Sequence, residues 1–268
     1  MSRPCTLRSM RYVTIERLQG KIMGEESVGQ SQVEANAGVA AMRQGRKEEA
    51  GLHFWHALQY LDNVQDLRER RNLLSEISEF FFNAGFDDLA LMAVLDAIES
   101  DERLGLDRGL IKDGMTYANI HTRLKNLEQA EAQYRALMER GLKSGDYANA
   151  ASASTNLAAI LANHNYLEEA IQRLESSLEY LAAQSFPDTE IKTRLTLIQV
   201  FELQKSDPEH TFDAARALLD RFAEGLPPQY REVLVQSVES ALKRYTQDRP
   251  DVDREAWKKR RFPELCGT

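Results

Sequence analysis

Small and bulky apolar residues recur every 40 positions along the central part of the chain. Four segments align without gaps, at 31–62, 71–102, 111–142 and 151–182, and the same place in each is taken by an alanine: Ala50, Ala90, Ala130 and Ala170. Within each segment, apolar or small residues follow one another at steps of one, three and four, which places them on one face of a helix. A turn marked by Gly45 or Gly85, and later by Lys125 or Asn165, separates two such runs. Each segment therefore predicts a pair of helices.

The predicted buried columns combine small with bulky side chains. In the first helices they are Ala37, Gly38 and Ala41; Ile77, Ser78 and Phe81; Tyr117, Ala118 and His121; and Leu157, Ala158 and Leu161. In the second helices they are Ala50, Phe54, Ala57 and Leu58; Ala90, Val94, Ala97 and Ile98; Ala130, Tyr134, Leu137 and Met138; and Ala170, Leu174, Ser177 and Leu178. A small residue on one helix admits a bulky residue from its neighbour, so the pattern predicts closely crossed hairpins that stack on one another.

These positions resemble the tetratricopeptide repeat (TPR). The family's small residue of the first helix matches Gly38, Ala118 and Ala158, and Ser78 departs from it. Its alanines of the second helix match Ala50/Ala57 and Ala90/Ala97, whereas Leu137 and Ser177 depart at the later place and the family's closing proline is absent. The period of 40 exceeds the common period of about 34. It resembles the long-helix variety of kinesin light chains and several bacterial regulators. The resemblance implies an all-α, right-handed α-solenoid.

The repeat register predicts the domain organisation. The predicted segments are a basic N-terminal arm at 1–30, with disorder as one interpretation, TPR-like repeats over 31–226 (31–70, 71–110, 111–150, 151–190 and about 191–226), a capping helix at 227–247 and a basic tail at 248–268. The fifth repeat contains a longer loop between its two helices, 206–211, and we place Ala214 or Ala215 at its small position. A capping helix is expected because the end of a stack needs a polar outer face.

Composition supports a helical protein with a protein partner. Residues 5–186 contain no proline, which is costly inside helices, and 43% of the chain is hydrophobic. The net charge of −8 combines an acidic body of −15 at 23–253, basic ends of +4 at 1–22 and +4 at 254–261, and −1 from Glu264. No basic face for nucleic acid is therefore expected. No apolar run approaches the length of a membrane span. Two cysteines, Cys5 and Cys266, predict neither a disulfide framework nor a metal site, and a reducing, cytoplasmic setting is expected.

The two basic ends leave several interpretations open. The N-terminal arm is typical of a solvated arm or an over-long start before Met10 or Met23, with an organellar presequence as the alternative. The tail AWKKRRF (256–262) is expected to be solvated. Its alternatives are a short linear motif, an anionic-membrane contact, a nuclear-type address and docking onto the acidic body of the same chain.

A polar stripe beside the buried column of the first helices is the candidate binding surface. Steps of four and three residues keep it on one side of each helix. We predict that its groove-lining residues are Asn36, Arg43, Glu79, Asn83, Lys112, Asn119, Arg123, Asn156 and Asn163. The resemblance implies that such asparagines grip the main chain of an extended peptide, to which an amide offers a donor and an acceptor together. Asn119 and Asn156 resemble a two-asparagine part of the family's carboxylate clamp, but Met115 stands at the place of its lysine.

Other chemistry finds little support. His53 and His56 have a spacing that could hold a metal, but no carboxylate or cysteine is locally arranged to complete a site, and exposed histidines are expected. No phosphate-binding glycine loop and no nucleophile–histidine motif is present, so no cofactor and no catalytic residue is predicted. The sequence predicts a non-enzymatic adaptor that binds a peptide segment or helix of another protein in a concave groove. Alternatives are a peptide-sensing regulatory module, a structural subunit of a larger assembly and an all-helical enzyme.

Overall fold

The computed structural model describes residues 24–64, 66–182, 185–205, 207–247 and 249–266. The chain divides into two compact units, Met1–Thr116 and Tyr117–Thr268, called unit 1 and unit 2. The described helices are α1 Gly24–Arg43, α2 Lys47–Leu61, α3 Leu67–Ala84, α4 Asp87–Leu104, α5 Asp107–Arg123, α6 Leu127–Ser144, α7 Tyr147–Asn163, α8 Leu167–Ala182, α9 Pro187–Gln204, α10 Pro208–Phe222, α11 Pro228–Tyr245 and α12 Arg254–Arg261. A 3₁₀ turn, Pro263–Leu265, follows α12. The described residues contain no β-strand.

Helix starts repeat with the predicted period. First helices begin 40 residues apart, at Leu67, Asp107, Tyr147 and Pro187. Second helices begin at Lys47, Asp87, Leu127 and Leu167, again 40 apart, and then at Pro208 after 41. The predicted repeat boundaries at 71, 111, 151 and 191 lie four residues inside the first helices, because the sequence alignment followed buried columns and not helix ends.

The hairpin turns share one backbone conformation. Gly45, Gly85, Lys125, Asn165 and Lys205 all have φ between 51° and 81°, in the left-handed region. Glycine adopts this conformation freely, whereas lysine and asparagine adopt it at a cost of about 1 kcal/mol. The turn geometry is therefore retained at the same register even where the glycine is lost.

The predicted small-to-bulky packing is observed in the first hairpin. A Cβ atom on Gly38 would lie 2.6 Å from the ring of Phe54, which is buried. Most predicted column residues are buried, and the half-buried exceptions are Ala37, Leu58, Ile98, Tyr117, Met138 and Leu178. The close approach requires a residue without a Cβ at position 38.

Within each unit the helices pack as consecutive pairs. In unit 1, α1 packs on α2 and α3 packs on α4. In unit 2, α7 packs on α8 and α9 packs on α10, while α9 also packs on α7 and on α11. First helices thus line up side by side in unit 2, and α11 continues their row in the position predicted for a capping helix. No helix of the described residues has the length and apolar character to span a bilayer.

The fifth hairpin departs from the predicted register by one residue. Thr211 is buried at 41 positions after Ala170, and Ala215, Leu218 and Leu219 complete the column. The expectation that Ala214 or Ala215 takes the small position is wrong, because the extra residue lies in the turn before α10 and shifts the whole second helix.

The C-terminal segment is folded. The prediction of a solvated tail is wrong for 254–265, because Trp257 and Phe262 are buried in a core with Phe212 of α10. The alternative of docking onto the acidic body is the arrangement observed. At the other end, Gly24 begins α1, so 24–30 do not belong to the predicted arm, while 1–23, including Cys5, lie outside the described residues.

Candidate functional site

The predicted stripe residues of unit 1 lie on accessible helix faces. Asn36, Arg43, Asn83 and Lys112 are exposed and Glu79 is half-buried. Lys112 Nζ lies 2.9 Å from Glu79 Oε1, so these two predicted groove residues form an ion pair across neighbouring helices. The pair neutralises both charges on this part of the stripe.

In unit 2 the structure brings the two predicted asparagines together. Asn156 Nδ2 donates a hydrogen bond to Asn119 Oδ1 over 3.2 Å. The hydroxyl of Tyr134 donates to the same oxygen over 2.6 Å and approaches Thr122 Oγ1 at 3.3 Å. Both asparagines are half-buried, and the other two predicted residues, Arg123 and Asn163, are exposed. Asn119 is therefore held by a structural contact as well as facing the stripe.

Tyr134 holds the Asn119–Asn156 pair from the buried side. Its side chain is 1% exposed, and burial raises the pKa of its hydroxyl despite the hydrogen bonds with Thr122 and Asn156. The neutral hydroxyl consequently acts as a donor to Asn119 throughout the physiological pH range. This contact orients the Asn119 amide towards Asn156.

Lys192 of α9 extends the pair into a row. Its Nζ donates to Asn156 Oδ1 over 2.9 Å. The protein around the ammonium removes part of its hydration and so lowers the pKa of Lys192, although the side chain as a whole stays exposed. None of the described carboxylates forms an ion pair with Lys192, so among these residues its charge has no counterion.

Sequence reasoning missed Lys192, although the signal was present. Asn156 and Asn163 share one face of their helix with Ser152 and Ala159, and adding the period of 40 to these four positions gives Lys192, Thr196, Gln199 and Leu203. Three of these four residues line a groove, and the fourth lies beside it, bonded to Asn156. The stripe thus continues for one more repeat than predicted.

A groove of about 500 Å³ lies between α7, α9 and α11 of unit 2. Its lining residues are Ala159, Ala162, Asn163, Thr196, Gln199, Val200, Glu202, Leu203, Ser237 and Ser240. Ala162 and Val200 are buried and Leu203 is 56% exposed, so an apolar strip lies among neutral polar side chains. Of the predicted residues, Asn163 lines this groove directly.

The one ionisable lining residue of this groove is neutralised. Glu202 accepts hydrogen bonds from both terminal nitrogens of Arg244 at 2.7 Å and from Thr211 Oγ1 at 2.7 Å. Burial alone would raise the pKa of Glu202, but the hydrogen bonds lower it below its usual value. The residues that line the groove consequently carry no uncompensated negative charge. Lys192 lies on α9, the same helix as Glu202.

His53 and His56 meet a carboxylate that sequence reasoning did not find. Glu34 Oε2 of α1 lies 2.7 Å from His53 Nδ1 and 3.7 Å from His56 Nδ1. His56 is exposed as predicted, whereas His53 is half-buried against α1. Across the described ranges, no group of three or more His, Cys, Asp or Glu could hold a metal ion. Glu34 and His53 form a hydrogen-bonded pair.

A second polar cluster, buried in unit 1, was not predicted. Arg71 Nε and Nη2 donate to the two oxygens of Asp101 at 2.5 and 3.0 Å. Arg71 Nη2 also donates to Asp113 Oδ2 at 2.7 Å, and Ser75 Oγ donates to Asp113 Oδ1 at 2.5 Å. Both carboxylates are fully buried, and a Cβ on Gly109 would fall 2.1 Å from Asp101 Oδ1. Gly109 was a sequence signal for this close approach.

The cluster contains two carboxylates and one guanidinium. Burial, above all, raises the pKa of Asp113 from 3.8 to about 6, and the neighbouring Asp101 acts in the same direction. The hydrogen bonds from Ser75 and the charge of Arg71 oppose this rise. One negative charge thus exceeds what Arg71 balances, and Asp113 releases its proton with difficulty.

Comparison with known proteins identifies the fold. No family model and no curated protein sequence matches the chain. Among solved structures, the apo form of RapI aligns with a TM-score of 0.66 at 14% identity, over 97% of this chain and 80% of that one. The Rap conjugation gene regulator of the plasmid pLS20 in complex with the Phr* peptide aligns with a TM-score of 0.55 at 14% identity, over 94% and 73%.

A kinesin light chain neighbour completes this picture. The structure of kinesin light chain TPR-like repeats from Podosopora anserina aligns with a TM-score of 0.58 at 11% identity, over 80% of this chain and 99% of that one. Identities this low show the fold alone. The helical pairs, their 40-residue period and these neighbours confirm the prediction that the chain is an all-α, TPR-like helical repeat protein.

Proposed function

We propose that the chain is a non-enzymatic adaptor that binds an extended peptide segment of another protein in the α7–α9–α11 groove of unit 2. The observation that carries the proposal is the row Asn119–Asn156–Lys192 beside a groove of about 500 Å³. The amides offer donors and acceptors to a peptide main chain. The groove volume is in the range of sites that bury a compact ligand.

The charge of the row favours a carboxylate on the bound peptide. Lys192 is partly desolvated and has no internal ion-pair partner among the described residues, so a carboxylate from outside would restore a favourable environment for the ammonium. Because the body of the chain is acidic, a carboxylate is attracted to this local positive site and repelled by the surface around it. The carboxylate would belong to an acidic side chain or to the end of the peptide.

The groove also sets the position of an apolar anchor. Lys192 and Leu203 lie on one helix eleven residues apart, which is about 16 Å along its axis. An extended peptide covers this distance in about five residues. We therefore expect an aliphatic side chain over Val200 and Leu203, about five residues from the carboxylate that contacts Lys192.

A peptide-sensing regulatory module is the second candidate. The observation that favours it is the likeness to the Rap regulator in complex with the Phr* peptide. In that version the same groove binds a small free peptide in place of a segment of a protein. The cytoplasmic setting expected from the cysteines suits both versions and stays part of the proposal.

Filling the groove tests both versions. Peptides are first selected from a random 12-residue library displayed on phage against the full chain. Their affinities are then measured by titration calorimetry for wild type and A159W, whose exposed Ala159 lines the groove. We expect A159W to weaken binding by at least about tenfold, because the indole occupies space that the peptide needs.

The matched control is A136W, an exposed alanine on α6 that does not line the groove. It should bind the selected peptides like wild type. Equal affinity of A159W and wild type would exclude this groove as the binding surface. Loss of binding in both variants would point to a general effect of the added indole and contradict the proposal as well.

A further inference from the structure

The face formed by α10 and α11 holds a short segment through aromatic side chains. Trp257 and Phe262 of residues 254–265 are buried. Their ring centres lie 4.6 and 6.1 Å from that of Phe212 on α10, and Trp257 also lies 5.5 Å from Tyr245 on α11. The segment therefore fills an aromatic site built by two helices that precede it in the chain.

Basic residues of the segment meet acidic residues around this aromatic site. Arg261 Nη2 lies 2.8 Å from Glu209 Oε2 and 3.2 Å from Asp213 Oδ1 on α10. Lys258 Nζ lies 2.5 Å from Glu239 Oε1 on α11. The acidic rim and the aromatic floor together match a helix with a tryptophan and an Arg-Phe pair one turn later.

The segment is anchored at its far end by a reversed charge pair. Arg216 of α10 donates to both carboxylate oxygens of Glu264 at 2.8 and 3.1 Å. Arg231 of α11 donates to the main-chain oxygen of Glu264 at 2.7 Å. The charges alternate in sign along the site, which defines the direction in which the segment binds.

Eight residues, 246–253, connect this segment to α11. Gln247, Arg249, Pro250 and Asp251 of this connection are exposed. A short exposed connection to a docked terminal element is the arrangement from which identical elements exchange between copies.

We propose that the α10–α11 face is a binding site for an aromatic and basic helical segment, occupied within one copy by its own residues 254–265 and between copies by the same residues of a second chain. The partner is thus a second copy of this chain. Neither Phe212 nor the acidic rim residues line the α7–α9–α11 groove, so the proposal does not depend on the peptide-binding function. The segment of the same copy competes at the high effective concentration that its connection provides.

Complementation between two full-length variants tests the exchange. W257A/F262A lacks the aromatic anchors but keeps the acidic rim, and E209K/D213K lacks the rim but keeps the anchors. Each alone should be monomeric by light scattering, because W257A/F262A supplies no aromatic anchors and the lysines of E209K/D213K repel Arg261 of any copy. An equimolar mixture should contain a heterodimer, since the segment of the second variant can occupy the free face of the first.

A labelled peptide with the sequence of residues 252–266 provides the second measurement. By fluorescence anisotropy it should bind W257A/F262A at least about tenfold more tightly than wild type, whose own segment competes. The R261E peptide should lose about tenfold in affinity because its two acidic partners become repulsive. The R260E peptide is the matched control and should bind unchanged, because Arg260 is exposed and it is Arg261 that pairs with Glu209 and Asp213.

A cleavable connection excludes misfolding as an explanation. A chain with a protease site in place of 249–251 is folded with its own segment docked and is then cut. The cut frees the segment to exchange, and the residues of the binding site are unchanged. Exchange of the labelled peptide into the cut chain below its unfolding temperature would support the site. No exchange, together with a monomeric mixture of the two variants, would overturn the proposal, as would equal binding of the R261E and R260E peptides.

Discussion

Unit 1 and unit 2 each contain a network of hydrogen-bonded polar side chains, but the network in unit 1 is enclosed and the one in unit 2 is open to solvent. In unit 1, the side chains of Arg71, Asp101 and Asp113 are enclosed and hydrogen-bonded to one another and to Ser75. In unit 2, Asn119, Asn156 and Lys192 are only partly enclosed, and the ammonium at the end of the row has an amide as its partner. A closed network stabilises the fold, whereas an open one keeps hydrogen-bonding capacity for a ligand.

The difference in enclosure indicates which polar residues of a repeat are candidates for function. Arg71 lies on α3, the helix of the stripe residues Glu79 and Asn83, yet it points into a site that no partner can enter. Charge type alone would rank it above Lys192. Burial and the identity of the partners decide the matter, because a buried charge must be paired inside the protein.

Breaking the closed network should have the largest effect on stability. R71M leaves Asp101 and Asp113 buried without a counterion, and we expect the free energy of unfolding to fall by about 3–5 kcal/mol. Urea denaturation followed by circular dichroism measures this change. R68M on the same helix removes an exposed arginine and should stay within about 0.5 kcal/mol of wild type. Similar losses for both variants would contradict a closed, stabilising cluster.

Removing the excess charge of the cluster should have a smaller and pH-dependent effect. The folded state holds a proton on Asp113 up to about pH 6, whereas the unfolded chain releases it near pH 3.8. The contribution of Asp113 to stability therefore falls as pH rises from about 4 to about 6, by up to about 3 kcal/mol, and is constant above that. D113N is neutral at every pH and should not show this loss.

The measurement is the difference in unfolding free energy between D113N and wild type at pH 4.5 and pH 7.5. It should shift in favour of D113N at the higher pH. Taking the difference removes opposing groups such as Glu264, whose pKa is lowered by its hydrogen bonds from Arg216. E102Q, at an exposed position of α4, should show no such shift. A pH-independent D113N difference would refute the raised pKa of Asp113.

Changing the open network should have the smallest effect on stability. K192M removes an ammonium without an internal counterion, so the free energy of unfolding should change by less than about 0.5 kcal/mol. The same variant should weaken selected acidic peptides by about tenfold. Thermal melts and titration calorimetry give the two quantities. A large loss of stability would place Lys192 with the closed network and remove it from the binding row.

Much of the fold was predictable because the same packing and turn requirements recur at the same position in every repeat. The pairing of Gly38 with Phe54 and the turns at Gly45 and Gly85 follow from residue size and backbone conformation, which sequence displays directly. The shift to Thr211 was not predictable in this way, since either alanine nearby satisfied the pattern. Docking of Trp257 and Phe262 depends on the end of the stack, where no further repeat supplies a template.

The candidate site was predictable only in part. Exposure of Arg123 and Asn163 and the meeting of Asn119 with Asn156 follow from helix periodicity and a constant repeat step. The Tyr134 contact and the Glu34–His53 pair require the positions of neighbouring helices, which periodicity does not specify. The closed cluster joins residues 30 and 42 positions apart, and its members look like ordinary surface charges in the sequence.

The one-residue lengthening between Lys205 and Pro208 shows where this architecture can absorb length changes. In every earlier hairpin, one residue separates the residue with positive φ from the start of the second helix, whereas two residues do so in the fifth. In the earlier hairpins an added residue would displace the next buried column from its register. At the fifth hairpin the surplus stays in the connection, and Phe212, Ala215 and Leu218 still reach the core. Insertions should therefore be tolerated best in the connection between Lys205 and Pro208, in natural variants and in engineered ones.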